Sequence, residues 1–320
     1  MSAPTRFRTL RPWLLATFGR PVHRLALDAG STCPNRDGTR GRGGCTYCDV
    51  EGSGTGALKS GVDLAAQLEQ GLRRLARREE GAGGVIAYLQ SYSNTYVSPQ
   101  RLDEVLGVVA ARAAEPLVAL SIATRPDTLP DWALARLVAL GERLPVWVEL
   151  GLEAADDGVL RAANRLHTVA EFEACVARVR AAGLLCVGHA ILGLPGDGRA
   201  GAQRTAEVLA RSGVEGVKVH QLMVLRRTQL AAEWRAGRLT TLDAPSYVEW
   251  LADFVERLAP SQVLHRLTGD AAPEDLLAPR WSLDKNDVRA ALEAELERRG
   301  TAQGSLLAQG LAAGPRGRGA

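Results

Sequence analysis

The chain of 320 residues lacks any apolar run near the ~20 residues that cross a bilayer. Its first apolar stretch, residues 13–18, follows a basic lead-in and is too short and too polar for a secretory signal. These absences exclude a membrane-spanning helix and a secreted product, so the chain reads as soluble and cytoplasmic. Charge of one sign is also missing. Against 39 Lys and Arg stand 36 Asp and Glu, a net of +3, which removes the bulk signature of a nucleic-acid binder and leaves room for a local basic patch. Cysteine is scarce, at five residues. An odd count with three thiols in one short segment excludes a disulfide framework and points to metal ligation. Cys175 and Cys186 stand apart, in helical and strand contexts, and read as small buried hydrophobes. There is no separate RNA-binding domain and no repeat beyond a βα unit.

Hydrophobic residues make up 46% of the chain, enough for one large core or two smaller ones. Short β-rich runs at 22–28, 85–90, 117–122, 146–152, 184–192 and 217–224 alternate with amphipathic stretches. Leu64, Leu68, Leu72 and Leu75 recur at helical spacing; Ser98-Pro99 supplies a cap and a first-turn proline. Another helix begins near Pro130, and Thr168 with Glu171 forms a capping box for a helix ending near 182. Six strands with crossover helices predict a parallel sheet, open or curled toward a barrel. Polar clusters at Cys33, 90–94, 124–127, 149–153 and 193–196 lie at or just beyond the C-terminal ends of the strands, where an α/β barrel carries its active site. The expected fold is therefore α/β, a partial (β/α)6 TIM-like barrel with a C-terminal extension. The barrel core spans 1–225 with a lead-in over 1–21. The extension spans 226–299, with helices at 229–236, 245–258 and 283–298 and a short strand at 262–267. Its segment 265–281, rich in charge and proline, is expected over the barrel mouth or open edge. Residues 300–320 read as a disordered tail.

The cysteine loop reads Cys33-Pro-Asn-Arg-Asp-Gly-Thr-Arg-Gly-Arg-Gly-Gly-Cys45-Thr-Tyr-Cys48. Three thiolates can hold three irons of a cubane and leave the fourth iron open. Soft thiolates suit iron–sulfur clusters and zinc alike. Structural zinc takes four protein ligands, and no histidine or further cysteine follows the loop closely, while His23 sits at the far end of the preceding strand. A 4Fe–4S cluster is favoured; zinc stays as the alternative. Gly38, Gly41, Gly43 and Gly44 let the backbone wrap a cluster. Arg36, Arg40 and Arg42 either favour thiolate or are solvated loop charges.

A Cys-x-x-Cys with an aromatic before its last cysteine, placed after a first strand, resembles the radical S-adenosylmethionine (SAM) superfamily. The gap before that pair is longer than usual. With Cys-Pro-Asn-Arg-Asp-Gly and Gly-Gly-Cys-Thr it resembles the YhcC/YtqA-type subfamily. Further matching segments are Gln90-Ser-Tyr-Ser-Asn-Thr-Tyr96, Ala123-Thr-Arg-Pro-Asp127, Glu149-Leu-Gly-Leu-Glu153 and Asn164-Arg-Leu-His167. Ile191-Leu-Gly-Leu-Pro-Gly196, His265-Arg-Leu-Thr-Gly-Asp270 and Trp281-Ser-Leu-Asp-Lys285 complete a resemblance over nearly the whole chain. It implies a 4Fe–4S cluster on Cys33, Cys45 and Cys48, with SAM chelated by the open iron.

The resemblance also implies cofactor contacts from Tyr47, from Leu192 and Gly193 toward adenine, and from Arg125 and Glu149 toward the methionine and ribose of SAM. The other reading of Arg125 and Glu149 is an ion pair across the rim. Gln90 and Asn94 occupy the place where many relatives carry a Gly-Gly-Glu segment for the methionyl amine. His220 with Gln221 is the candidate substrate contact. Asp270, Trp281 and Lys285 either close over substrate or hold the C-terminal segment; His189 and His265 read as core or rim residues. The implied chemistry is reductive cleavage of SAM to a 5′-deoxyadenosyl radical, supplied with electrons by a donor such as flavodoxin or ferredoxin. Similarity of the subfamily to the radical domain of the elongator catalytic subunit points to a tRNA wobble uridine, with Arg11, Arg20, Arg226 and Arg227 as candidate phosphate contacts. A small-metabolite substrate and a non-catalytic zinc module are the rivals.

Overall fold

The computed structural model describes residues 5–49, 62–78 and 83–307. Seven parallel strands run in sequence order across one sheet: β1 (Val22–Leu27), β2 (Gly84–Leu89), β3 (Leu117–Thr124), β4 (Val146–Glu153), β5 (Leu185–Leu192), β6 (Gly216–Gln221) and, at the far edge, β8 (Val263–Arg266). β7 (Val224–Leu225) and β9 (Leu276–Ala278) form a separate antiparallel ribbon. The helices are α1 (Leu10–Phe18), α2 (Leu64–Arg78), α3 (Pro99–Ala110), α4 (Asp131–Gly141), α5 (Asp157–Ala162), α6 (Val169–Ala181), α7 (Gly198–Ser212), α8 (Gln229–Arg235), α9 (Ala244–Arg257) and α10 (Lys285–Arg299). The sheet curls into the expected half-barrel, and the 262–267 run extends it by a strand paired in parallel with β6.

Alternation along each strand sorts the two faces. Val146, Val148, Leu150 and Leu152 of β4 join Leu25, Leu27, Val217 and Val219 in the main core beneath the helices. Trp147 faces the other way, into the barrel, with Ile86, Ala119 and Val263. Leu10 and Leu14 of α1 pack on that inner layer, and Trp13 meets Trp147 edge-on at 5.5 Å between ring centres. α1 thus plugs the end of the barrel where strands begin. The plug also bridges the two sheet edges. Leu264 N donates to Arg8 O at 2.9 Å beside a parallel Thr9–Leu264 bridge, and Arg24 Nη2 of β1 donates to His265 O of β8 at 3.4 Å.

The predicted caps are present. Ser98 accepts from Arg101 N with Pro99 in the first turn, and Thr168 and Glu171 make the reciprocal capping box. Cys175 and Cys186 are fully buried, as expected of small hydrophobes. The tail differs from its sequence reading. Gln303 donates to Ala259 O and Gln262 O, and Leu306 N donates to Glu256 O, so residues 301–307 lie packed along α9. Low-complexity sequence gives no sign of that, because the ties are single hydrogen bonds from Thr301, Gln303 and the backbone of Gly304 and Leu306; residues 308–320 lie outside the described residues.

Candidate functional site

The thiol loop leaves β1 at the barrel's C-terminal rim and is shaped mainly by backbone. Arg36 N donates to Cys33 O at 2.8 Å, Cys48 N to Cys45 O at 3.0 Å and Gly44 N to Asn35 O at 2.9 Å. Gly43 and Gly44 sit at φ of 80° and 78°, where a side chain is strained. A clamp holds the loop from outside, built by the Asn164-Arg-Leu-His segment. Asn164 Nδ2 donates to Arg42 O at 3.0 Å and Gly44 O at 2.7 Å. In return Asn35 Nδ2 donates to Asn164 O and, at 3.1 Å, to Arg165 O. Asn164 and Leu166 both adopt left-handed φ to make this turn.

Cys33 and Cys45 are buried and Cys48 half-buried. Of the three loop arginines only Arg36 reaches a sulfur, with Nη2 3.3 Å from Cys48 Sγ. Arg40 turns away to Asp127 at 3.2 Å and Glu171 at 3.3 Å, and Arg42 is exposed. The expected thiolate-favouring field is therefore narrow. Burial and then Cys45 push the Cys48 thiol up to about 11, and Arg36 offsets only part of that. Among the described residues no three His, Cys, Asp or Glu side chains stand close enough to hold a metal ion. The loop supplies the donor set, three thiols with cationic neighbours.

Buried polar atoms around the loop are left without partners: Asn35 Oδ1, Tyr47 OH, Ser91 Oγ, Arg125 Nη1, Arg165 Nε and both nitrogens of His167. Such atoms are costly unless a further group satisfies them. Their position around three thiols fits a polar, metal-bearing cofactor. Burial, then Arg165 and Arg125, holds His167 down to about 2, so it is a neutral acceptor or donor at any working pH. Tyr47 packs beside Ile191, Leu194 and Leu222 in a small apolar cluster, which brings together two of the segments expected at adenine. Gly193 follows at φ 93°.

Other predicted residues are otherwise engaged. Arg125 and Glu149 do not pair with each other. Arg125 forms a two-pronged pair with Asp127 at 2.8 and 2.7 Å. Asn94 braces the rim, its amide donating to Leu89 O and Ala123 O and its oxygen accepting from Ser31. Gln90 is half-buried at the end of β2. Trp281 donates to Leu242 O at 2.9 Å and meets Tyr247, so it holds the C-terminal segment. Lys285 opens α10, and its side chain lies outside the described residues. Of the candidate phosphate contacts, Arg20 pairs with Glu115 and Arg226 donates to Glu274 O. Arg11 lies on the plug helix α1, and both it and Arg20 are at the end of the barrel opposite the rim.

Below the rim the barrel interior holds a second polar layer. Glu149 Oε1 accepts from Ser121 Oγ at 2.5 Å; Oε2 accepts from His189 Nε2 at 2.9 Å and pairs with Lys218. Lys218 also donates to Tyr88 OH at 3.1 Å. Burial raises the Glu149 carboxyl, but Lys218 and His189 outweigh it and hold it well below its usual range. Burial pulls Lys218 down to about 8 against Glu149. The pair is ionised at neutral pH. His189 and His220 stack at 5.7 Å, and Gln221 Oε1 accepts from Gly269 N at 2.7 Å. Asp270 pairs with Arg266 at 2.7 Å. Lys218, Tyr88 and Arg24 escape a motif search. The available signal is a charged residue at an inward position of an otherwise apolar strand, as in Val217-Lys-Val219.

Seven parallel strands, a three-thiol loop after the first and orphaned polar atoms around it define a type of protein. The model of the Radical SAM superfamily matches residues 33–209. The chain belongs to the radical SAM superfamily. The Radical_SAM C-terminal domain matches 214–298. YtqA of Bacillus subtilis (strain 168) is 38% identical over 94% of this chain and 92% of its own length. YhcC of Escherichia coli (strain K12) is 34% identical over 92% and 93%. A partial match, 26% identical, joins 55% of this chain to 39% of the tRNA uridine(34) acetyltransferase of Dehalococcoides mccartyi (strain CBDB1). The structure of archaeal Methanocaldococcus infernus Elp3 shares the fold at a TM-score of 0.64, with 16% identity, over 89% of this chain and 64% of that one. Among the described residues no helix is long and apolar enough to cross a membrane.

Proposed function

We propose that this chain is a radical SAM enzyme whose Cys33, Cys45 and Cys48 hold a 4Fe–4S cluster and whose rim binds SAM. The observation that carries it is the set of orphaned buried polar atoms on Asn35, Tyr47, Arg125, Arg165 and His167 around a three-thiol loop. When bound and reduced, such a cluster supplies the electron that cleaves SAM, and the resulting 5′-deoxyadenosyl radical takes hydrogen from substrate. The chain's own part is to bind and exclude water. Asn164 and Asn35 fix the loop, Tyr47 with Ile191 and Leu194 offers an apolar wall for adenine, and Arg125 offers Nη1 toward an oxygen of SAM. Glu149, held by Ser121, His189 and Lys218 below the rim, anchors Lys218 and His189. His220, stacked on His189, faces the interior where substrate would enter, while Gln221 is tied to Gly269 N. A flavodoxin- or ferredoxin-like protein is the electron donor.

A tRNA wobble uridine is the proposed substrate class, supported by the partial match to tRNA uridine(34) acetyltransferase. A small metabolite is the competing class. Anaerobically reconstituted protein should carry iron and sulfide and release 5′-deoxyadenosine from SAM, and Cys48→Ala should abolish that release. Full cleavage by the variant, or zinc near one equivalent without iron, overturns the reading. Comparing tRNA nucleosides by mass spectrometry with and without the gene in its host tests the substrate: an unchanged profile removes tRNA.

A further inference from the structure

The interior layer carries more positive charge than its own carboxylates answer. Arg24 of β1, Lys218 of β6 and Arg266 of β8 all face it. Arg24 lies close enough to Glu149 and Arg266 to feel their charges, and Arg266 close enough to Lys218 and His220. Two carboxylates stand against these three cations. Glu149 is already filled by Ser121, His189 and Lys218. Asp270 engages Arg266 at 2.7 Å from the half-exposed side.

Arg24 has no carboxylate within ion-pair reach among the described residues. Its Nη2 donates to a single backbone oxygen, His265 O, at 3.4 Å. Burial holds His220 and His265 well below the usual imidazole value, so neither changes the balance by charging. An excess of one positive charge remains.

That charge sits at an opening. β1 and β8 are the two edges of the sheet, closed below by α1 and the Arg8–Leu264 hydrogen bond. Above Arg24, the next inward residue of β1 is Ala26, and it is exposed, so the chamber opens to solvent there. On the β6 side, His220 faces the same interior, stacked on His189, and its Nε2 is buried without a partner. A half-buried guanidinium with one long hydrogen bond is poorly solvated, and its planar fork suits a carboxylate or phosphate held by two parallel bonds.

We infer that the seam between β1 and β8 binds an oxyanion of the substrate, a carboxylate or a phosphate, on Arg24 with help from Arg266, while His220 takes a neighbouring polar group. The identity of this ligand as substrate rests on the radical SAM reading; the anion site itself stands on the charge and geometry of the seam.

Calorimetric titration of the full chain with inorganic phosphate and with succinate, at ionic strength matched by sodium chloride, tests it. One of the two anions should bind saturably and raise the melting temperature beyond chloride. Preference for phosphate assigns a phosphorylated substrate, and preference for succinate a carboxylate. Arg24→Gln should weaken that binding at least tenfold and Arg266→Gln by less. Where Arg24→Gln does not fold, Arg24→Lys keeps the charge without the fork and should weaken binding severalfold. No binding beyond chloride, or wild-type affinity in a folded Arg24 variant, overturns the inference. Displacement of the anion by SAM overturns its assignment to substrate, because the seam would then hold the methionyl carboxylate. 5′-Deoxyadenosine release, measured separately, keeps the two readings apart: anion binding without SAM cleavage sinks only the radical reading, and cleavage without anion binding sinks only the seam.

Discussion

The rim loop and the interior layer lie one above the other in the same barrel and are stabilised in opposite ways. The rim loop is held at its backbone. Its own turns close on Cys33 O and Cys45 O, the Asn164 side chain donates to Arg42 O and Gly44 O, and several side chains around it keep buried atoms unpartnered. The interior is held by side chains. Glu149 there accepts from three donors across both oxygens, and Lys218 is 1% exposed between Glu149 and Tyr88. A surface left unsatisfied is prepared for a visitor; a network closed on itself is a fixed wall against which the visitor is positioned. Arg24 is where the closed layer fails to close.

The comparison is broken most severely by Lys218→Met. Removing the cation leaves Glu149 buried at 1% exposure with only Ser121 and His189 as donors. Loss of one partner of a buried pair costs about 3–5 kcal/mol. Urea denaturation should show that loss, and Lys218→Met with Glu149→Gln should recover a large part of it, because the uncompensated charge is gone. A single variant within ~1 kcal/mol of wild type would mean the layer is wetter and less closed than its geometry indicates.

The rim should yield differently, locally and not globally. Asn164→Ala removes two donors from Arg42 O and Gly44 O and puts alanine at φ 53°. Each hydrogen bond is worth about 1 kcal/mol and the left-handed conformation about as much again. Hydrogen exchange of the 42–48 amides should accelerate by roughly tenfold to a hundredfold, with the melting temperature moved little and iron retention reduced. Asn164→Gly keeps the conformation without the donors and should fall between. Equal protection in all three would show that the clamp does not hold the loop.

How much of this was legible in sequence follows the same division. Three thiols without a fourth ligand, glycines between them and polar clusters after successive strands were readable, because loops and strand ends announce themselves by residue type. The strand at 262–267 was readable as a strand but not as the seventh member of the sheet, since pairing depends on where the crossover from β6 lands. The interior layer was not readable. Alternation says that Lys218, Glu149 and Arg24 point inward, yet which of them meet is set by barrel curvature and stagger. Hence Arg125, just past β3, and Glu149, within β4, take different partners, Asp127 and Lys218. Gly151 records the same packing in a different way: a Cβ there would stand 2.1 Å from Glu153 Oε1 and 2.4 Å from Arg165 Nη2, so the glycine is the space in which that ion pair lies.

The smallest expected effect comes from Asp197, a rim carboxylate that shares the rim's habit of leaving polar atoms unsatisfied. It follows the Gly-Leu-Pro-Gly turn after β5, is 6% exposed, and both its oxygens are buried without a donor. Burial raises its pKa to about 6, against Arg204. The folded chain therefore binds this proton more tightly than the unfolded chain, whose aspartate titrates near ~4. The Asp197 contribution to stability is complete below that value and is lost as pH rises through about 6. Wild-type stability should then fall by about 1–2 kcal/mol between pH 4.5 and 7.5 from this group. Asp197→Asn, which cannot ionise, should remove that slope and equal or exceed wild type at pH 7.5. Parallel pH profiles for the two proteins in thermal denaturation would show instead that the carboxylate is solvated or paired in solution, and that orphaned atoms on the rim are a feature of the thiol loop alone.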